Sequence, residues 1–135
     1  MNDSEKLPAY FIPHGGGPWH VMDDAFGDPE GYGKLKKYLE DLGKNYKDRI
    51  NAVLVISGHW EEPVPTIYSS ESPALFYDYY GFPEFTYKLN WPAKGDAELA
   101  SEVEGLLTSS GFSTDRDERR GYDHGSFVPL MVAFP

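Results

Sequence analysis

The sequence contains no cysteine, which excludes disulfide bonds and thiolate metal ligands. Any bound metal would therefore be held by histidine and carboxylate side chains. The chain also has no apolar run of about 18 residues, so we expect no transmembrane helix. Its first residues lack the basic-then-apolar pattern of a signal peptide. These absences favour a soluble protein of the cytoplasm.

Basic residues are scarce. The chain has 12 Lys and Arg against 22 Asp and Glu, for a net charge of −10. This balance argues against nucleic acid or an anionic membrane as a partner, because both favour basic surfaces. By contrast, 40% of the 135 residues are hydrophobic and 16% are aromatic, which predicts one packed domain.

The chain stops on the apolar run 127–135, and a complete domain would need something to cover such a surface. We therefore interpret residues 1–135 as the N-terminal part of a single domain.

The first half of the chain has the pattern of a strand–helix–strand unit. Apolar runs predict strands at Pro8–Ile12 and Arg49–Ser57, and apolar residues at helical spacing predict a helix over Gly33–Tyr46. Such a unit joins parallel strands by a right-handed crossover. The sequence thus predicts an α/β fold with a central, mostly parallel sheet flanked by helices.

The second half predicts shorter elements. In chain order these are a short strand at Thr66–Ser69, an irregular but packed aromatic segment at 71–92, a helix capped by Asp96 and ending near Gly111, a strand at Phe112–Thr114, and a helix in the terminal apolar run.

Histidine is the residue type that points to chemistry. Of the four histidines, His14, His59 and His124 each adjoin a glycine. His14 and His59 also follow predicted parallel strands, so both belong to the same edge of the sheet. Two imidazoles with one further ligand and open positions suit catalytic zinc or non-haem Fe(II). We expect His20 to be structural.

Three other interpretations have weaker support. The loop Gly15–Gly17 lacks the Lys-Ser/Thr that completes a phosphate-binding P-loop. A hydrolase would need Ser57 or Ser126 as nucleophile, yet no G-x-S-x-G motif surrounds either residue. The aromatic segment 71–92 is most simply core or lid, with a wall for a flat ring as the functional alternative.

Five motifs occur together along the chain. They are Phe11-Ile12-Pro13-His14-Gly15, Ser57-Gly58-His59-Trp60, Tyr80-Gly81-Phe82-Pro83, Trp91-Pro92-Ala93-Lys94-Gly95-Asp96 and the run from Tyr122 to Leu130 that includes Asp123-His124-Gly125. In this order the chain, from about residue 8 to 135, resembles the 4,5-DOPA extradiol dioxygenase-like proteins. These are class III extradiol ring-cleaving dioxygenases.

The resemblance implies roles for three residues. His14 and His59 would ligate a divalent metal, Fe(II) or Zn(II), and His124 would be the catalytic acid–base residue. Asp123 would either orient His124 or cap a helix. The implied substrates are a DOPA-like catechol and dioxygen, and the implied fold is a largely parallel sheet flanked by helices.

The resemblance also implies that the chain is truncated. Family members are about twice as long, and their second half supplies further active-site histidines, including a metal ligand. The missing C-terminal half would then be a partner of this chain, and the fragment alone would be inactive. The alternative is a non-catalytic metal-binding or interaction module on the same scaffold.

Overall fold

The computed structural model describes residues 6–135. Three α-helices and two short parallel strands alternate with long irregular segments. The elements are α1 (Pro29–Tyr46), β1 (Thr66–Tyr68), α2 (Ala97–Ser109), β2 (Asp115–Asp117) and α3 (His124–Ala133), with single turns of 3-10 helix at Trp19–Val21, Ala25–Gly27 and Glu84–Tyr87. Within the described range, no helix combines the length and apolar character needed to cross a membrane.

Each of the three helices begins at an aspartate cap. The side chain of Asp28 accepts a hydrogen bond from Gly31 N, and Pro29 occupies the first helical position. Helix α1 therefore begins four residues before the predicted Gly33. Asp96 caps α2 as predicted, accepting from Leu99 N. Asp123 caps α3 by accepting from Ser126 N, so the terminal apolar run is helical as predicted.

The sheet consists of β1 and β2, which pair in parallel with Thr66 opposite Asp115. Because α2 lies between them in the chain, they form a strand–helix–strand unit. The α/β class is thus confirmed, and so is a short strand at Thr66. The predicted strand at Phe112–Thr114 is wrong, because the pairing falls on the charged residues Asp115–Asp117, which lack the apolar pattern of a strand.

The two strands predicted in the first half are not formed. Pro8–Ile12 lies outside any strand, as does Arg49–Ser57. A strand needs a hydrogen-bonded neighbour, and among the described segments none bonds to the backbone of residues 52–56. Phe11 and Ile56 are accordingly almost fully exposed, with relative solvent accessibilities of 103% and 93%.

The core lies where α3 packs against α1 and the aromatic segment. Its buried residues are Trp19, Leu39, Tyr79, Phe127, Val128 and Ala133. Helices α1 and α3 approach closely at Gly43, where an added Cβ would lie 1.6 Å from the carbonyl oxygen of Ala133. The predicted irregular segment 71–92 contributes Tyr77, Tyr79 and Tyr87 to this packing. As a result, the start of α3, with His124, packs against the core.

Candidate metal centre

The loop after residue 12 fixes the position of His14. Its carbonyl accepts a hydrogen bond from the indole of Trp19 at 2.7 Å. Its Nδ1 lies 2.6 Å from Gly15 O, and since a carbonyl only accepts, Nδ1 carries the proton. In this tautomer Nε2 carries a free lone pair. Gly15 has φ +72°, and any Cβ there would collide with the Trp19 ring at 2.6 Å, so this position requires glycine.

His59 sits in a turn that is held from both sides. Its backbone N–H donates to Ser57 Oγ at 3.1 Å, and its carbonyl accepts from the Arg120 guanidinium at 3.0 Å. Its Nε2 lies 3.0 Å from Nε2 of His14. The neighbouring helix also leaves little room, because a Cβ on Gly125 would lie 2.6 Å from the His59 ring.

His124 is the first residue of α3 and is 7% exposed. Its backbone N–H and its Nδ1 both lie close to Oδ1 of Asp78, at 2.8 and 2.7 Å. As in His14, one ring nitrogen is engaged and Nε2 is left free. Tyr79 packs beside the ring, with 5.9 Å between ring centroids.

Together His14, His59 and His124 form what we call the histidine cluster. Their ring centroids are 4.6, 5.3 and 4.3 Å apart, and one ligand nitrogen from each lies within 4.8 Å of the others. Two nitrogens that share a metal at about 2.0–2.1 Å are separated by roughly 3–3.4 Å, which the 3.0 Å between His14 and His59 matches. The donor set therefore fits a divalent metal such as Zn(II) or Fe(II).

The sequence patterns missed Asp78. Its side chain is 14% exposed and contacts two members of the cluster, with Oδ2 lying 3.6 Å from Nδ1 of His59. Burial by itself would raise the pKa of this carboxyl, but hydrogen bonds from His124 outweigh that effect and leave it lowered. Asp78 lies in the aromatic run Phe76 to Tyr80, which has the composition of a packed core segment, and no local motif links this one acid to the histidines.

A second carboxylate, Asp123, lies behind the cluster and is 1% exposed. It accepts from Arg120 at 2.8 Å, from Ser57 Oγ at 2.8 Å and from Ser126 N at 3.1 Å. Its contacts make it a helix cap and an ion-pair partner, whereas the His124 ring is bound by Asp78. Of the two roles expected for Asp123, the structure supports the cap.

The remaining sequence candidates lie outside the cluster. His20 packs between the rings of Trp19 and Phe127, and neither of its ring nitrogens has a hydrogen-bond partner among the described residues. Burial lowers the pKa of His20 to about 4, consistent with a structural role. Ser57 and Ser126 both direct their hydroxyls at the carboxylate of Asp123, so neither is paired with an imidazole base as a hydrolase requires.

The aromatic segment 71–92 forms the wall of the core behind His124. Burial raises the pKa of Tyr79 to about 12, and its hydroxyl donates to Thr86 O at 2.5 Å. Tyr79 therefore remains protonated and supports the wall from inside the core.

Comparison with known proteins decides the family. The family described as the catalytic LigB subunit of aromatic ring-opening dioxygenase matches residues 8–135. The chain belongs to the LigB family. Family membership confirms the resemblance drawn from the five motifs and agrees with the α/β fold.

Several curated relatives share this LigB region. The 4,5-DOPA dioxygenase extradiol of Beta vulgaris is 39% identical over 128 residues, covering 93% of this chain and 45% of that protein. Dioxygenase tasH of Hapsidospora irregularis is 36% identical, covering 95% of this chain and 40% of that protein. The 4,5-DOPA dioxygenase extradiol of Escherichia coli (strain K12) is 30% identical, covering 98% of this chain and 45% of that protein. The chain thus spans less than half the length of these relatives.

Proposed function

We propose that this chain is the metal-binding portion of an extradiol ring-cleaving dioxygenase that acts on DOPA-like catechols. The observation that carries the proposal is the histidine cluster, in which three imidazoles distant in sequence converge within a LigB-family chain. The names of the relatives, 4,5-DOPA dioxygenase extradiol among them, support the substrate class.

In this proposal His14 and His59 hold the metal, Fe(II) or Zn(II), and His124 acts as the acid–base residue. When bound, Fe(II) supplies Lewis-acid activation of the catechol and the redox chemistry that dioxygen requires, whereas Zn(II) supplies only the former. The choice of His124 as the acid–base residue is supported by its geometry, because Asp78 engages Nδ1 and leaves Nε2 towards the cluster.

The chain's own residues perform the proton steps. His124 Nε2 takes a proton from a catechol hydroxyl as the substrate binds and returns one as the ring opens. Tyr79 and the buried start of α3 keep water away from one side of His124. His59, with a third of its side chain exposed, marks the side from which substrate and dioxygen enter.

We also propose that the site is completed by a polypeptide equivalent to the remaining part of the LigB relatives. The extended run Val53–Ile56 is exposed along its length and has no backbone hydrogen bond to another described segment. It borders a cavity of 1490 Å³ that also touches β1, α2 and α3. An apolar strand supplied by such a polypeptide would fill this space and pair with the free backbone.

The test uses a chimera in which this chain replaces the matching part of the Beta vulgaris relative. The protein is loaded anaerobically with Fe(II) and then given L-DOPA and oxygen, and absorbance of the yellow semialdehyde is followed. We expect product, its loss in His59→Ala and in His124→Ala, and its retention in His20→Ala, the matched histidine outside the cluster. A folded chimera that binds one metal ion and forms no semialdehyde would refute the dioxygenase proposal.

The second candidate function is a non-catalytic metal-binding or interaction module. The histidine cluster is compatible with it, because three converging imidazoles can hold a metal ion without catalysing a reaction. Titration of Zn(II) into the 135-residue chain tests whether the chain binds a metal at all or only keeps the fold. Binding at one site that is lost in His59→Ala and kept in His20→Ala supports a metal site, whereas equal behaviour of all three proteins contradicts it.

A further inference from the structure

Asp78 contacts the histidine cluster in a way that neither the sequence motifs nor the family description assigns. One oxygen, Oδ1, accepts from both the backbone N–H and Nδ1 of His124, at 2.8 and 2.7 Å. The other oxygen, Oδ2, lies 3.6 Å from Nδ1 of His59. A single carboxylate thus faces the far side of two of the three imidazoles.

The double contact with His124 restricts the ring strongly. Because the backbone and the ring of one residue bind the same oxygen atom, rotation about the side-chain bonds of His124 would break the ring contact. Since ionised Asp78 only accepts, His124 Nδ1 must donate, which fixes the tautomer with Nε2 unprotonated when the ring is neutral. Without Asp78 the ring would be free to adopt the other tautomer and other rotamers.

The charge of Asp78 is directed at the cluster. Among the described residues its ion-pair contacts are with His59 and His124. The other buried carboxylate nearby, Asp123, is paired with Arg120 at 2.8 Å. Asp78 is therefore the carboxylate whose negative charge is available to a cation held by the imidazoles.

We propose that Asp78 is the positioning residue of this site: it holds His124 in the Nδ1–H tautomer, so that Nε2 faces the metal site as a proton acceptor, and it places its negative charge beside the metal ligand His59. The proposal rests on the metal-dependent function proposed above. A carboxylate that accepts from one ring nitrogen of a histidine fixes the tautomer and orientation of the ring and raises the basicity of the other nitrogen. Asp78 accepts from His124 in this way, whereas its other oxygen lies 3.6 Å from Nδ1 of His59 and acts on that ring through its charge.

The first experiment reads the tautomers directly in the metal-free chain. Long-range ¹H–¹⁵N spectra of the labelled 135-residue protein distinguish Nδ1–H from Nε2–H rings. We expect His124 as the Nδ1–H tautomer in the unaltered chain and a shift towards Nε2–H in Asp78→Ala. The matched control is Asp96→Asn, the cap residue of α2, whose carboxylate accepts from Leu99 N. An unchanged His124 tautomer in a folded Asp78→Ala protein overturns the proposal, whether or not the chain binds metal.

The second experiment measures the cation site with Co(II), whose visible spectrum reports ligand geometry. Loss of an outer carboxylate typically weakens metal binding 10- to 100-fold. We expect a loss of about this size and an altered Co(II) spectrum in Asp78→Asn, which keeps the shape of the side chain, while Asp96→Asn leaves both unchanged. Equal affinity and identical spectra for Asp78→Asn and the unaltered chain contradict the proposal. If the unaltered chain binds no Co(II) either by itself or in the chimera, the proposed function fails, and the tautomer measurement still decides the role of Asp78.

Discussion

The buried ion pair behind the histidine cluster allows a quantitative test of how the site is held together. Asp123 is 1% exposed and Arg120 14%, with 2.8 Å between Nη1 of Arg120 and Oδ2 of Asp123. Arg120 also donates to the carbonyl of His59. The substitution Asp123→Asn keeps an oxygen that can cap α3, because Asn and Asp are comparable caps. The change therefore removes the charge and replaces the oxygen that faces Arg120 with an NH2 group, which cannot accept its hydrogen bond.

The expected cost follows from the contacts that remain. Removing one partner of a buried ion pair costs about 3–5 kcal/mol, because the other charge is left without compensation. Arg120 keeps its bond to the His59 carbonyl and lies 4.7 and 5.1 Å from the ring centroids of Trp60 and Phe76. Such cation–π contacts contribute about 0.5–1 kcal/mol each. We expect the lower end, about 3 kcal/mol.

The assay is urea unfolding of the metal-free chain, followed by circular dichroism, as a double-mutant cycle with Arg120→Met. Methionine removes the stranded charge, so the double variant should be less destabilised than the sum of the single variants by about 2 kcal/mol. The control cycle uses Glu104 and Arg116, a pair with side chains about one-third exposed. Exposed pairs contribute little to stability, because solvent and salt screen them. A coupling for Asp123 and Arg120 no larger than that of the control refutes the argument.

Three further outcomes follow from close packing and burial. Gly125→Ala places a Cβ against the ring of His59, so the affinity for Zn(II) should fall about 10-fold in calorimetric titration. The control Gly105→Ala has open space around its Cβ and should leave the affinity unchanged. Gly43→Ala places a Cβ in steric clash with a backbone carbonyl of α3, so the free energy of unfolding in urea should fall by at least about 3 kcal/mol. The control Gly33→Ala lies in the same helix and its Cβ meets nothing within 4 Å, so it should stabilise the chain by about 0.5–1 kcal/mol. Burial lowers the pKa of His20 from 6.5 to about 4 on folding, so the unfolded chain binds this proton at a higher pH than the folded chain. The free energy of unfolding is therefore at its full value above pH 6.5 and declines towards pH 4 by about 2 kcal/mol after allowance for partial exposure. His20→Leu should lose that part of the pH dependence in the same assay, and an unchanged profile would contradict this.

The amino-acid sequence alone determines the local features. The Asp96 cap with the apolar residues after it predicts α2, and apolar residues at helical spacing predict most of α1, because capping and amphipathicity act within a few residues. The sequence also identifies the glycine-flanked histidines at 14, 59 and 124 as candidate site residues. Imidazole is a common metal ligand and acid–base group, and the adjoining glycine allows a tight turn.

The strands could not be read in the same way. The apolar run Val53–Ile56 has every local feature of a buried strand, yet it forms none, whereas charged Asp115–Asp117 pairs with β1. Strand formation depends on a hydrogen-bonded neighbour, which is a property of the tertiary arrangement and not of the run itself.

Only the tertiary structure decided which groups surround the histidines. His14 and His59 are 45 positions apart, yet their Nε2 atoms lie 3.0 Å from each other. Asp78 is separated from His124 by 46 positions and binds its ring from within an aromatic segment that looks purely structural. A sequence pattern shows the type of a side chain and its neighbours along the chain. Which carboxylate contacts which imidazole depends on how the folded chain brings distant segments together.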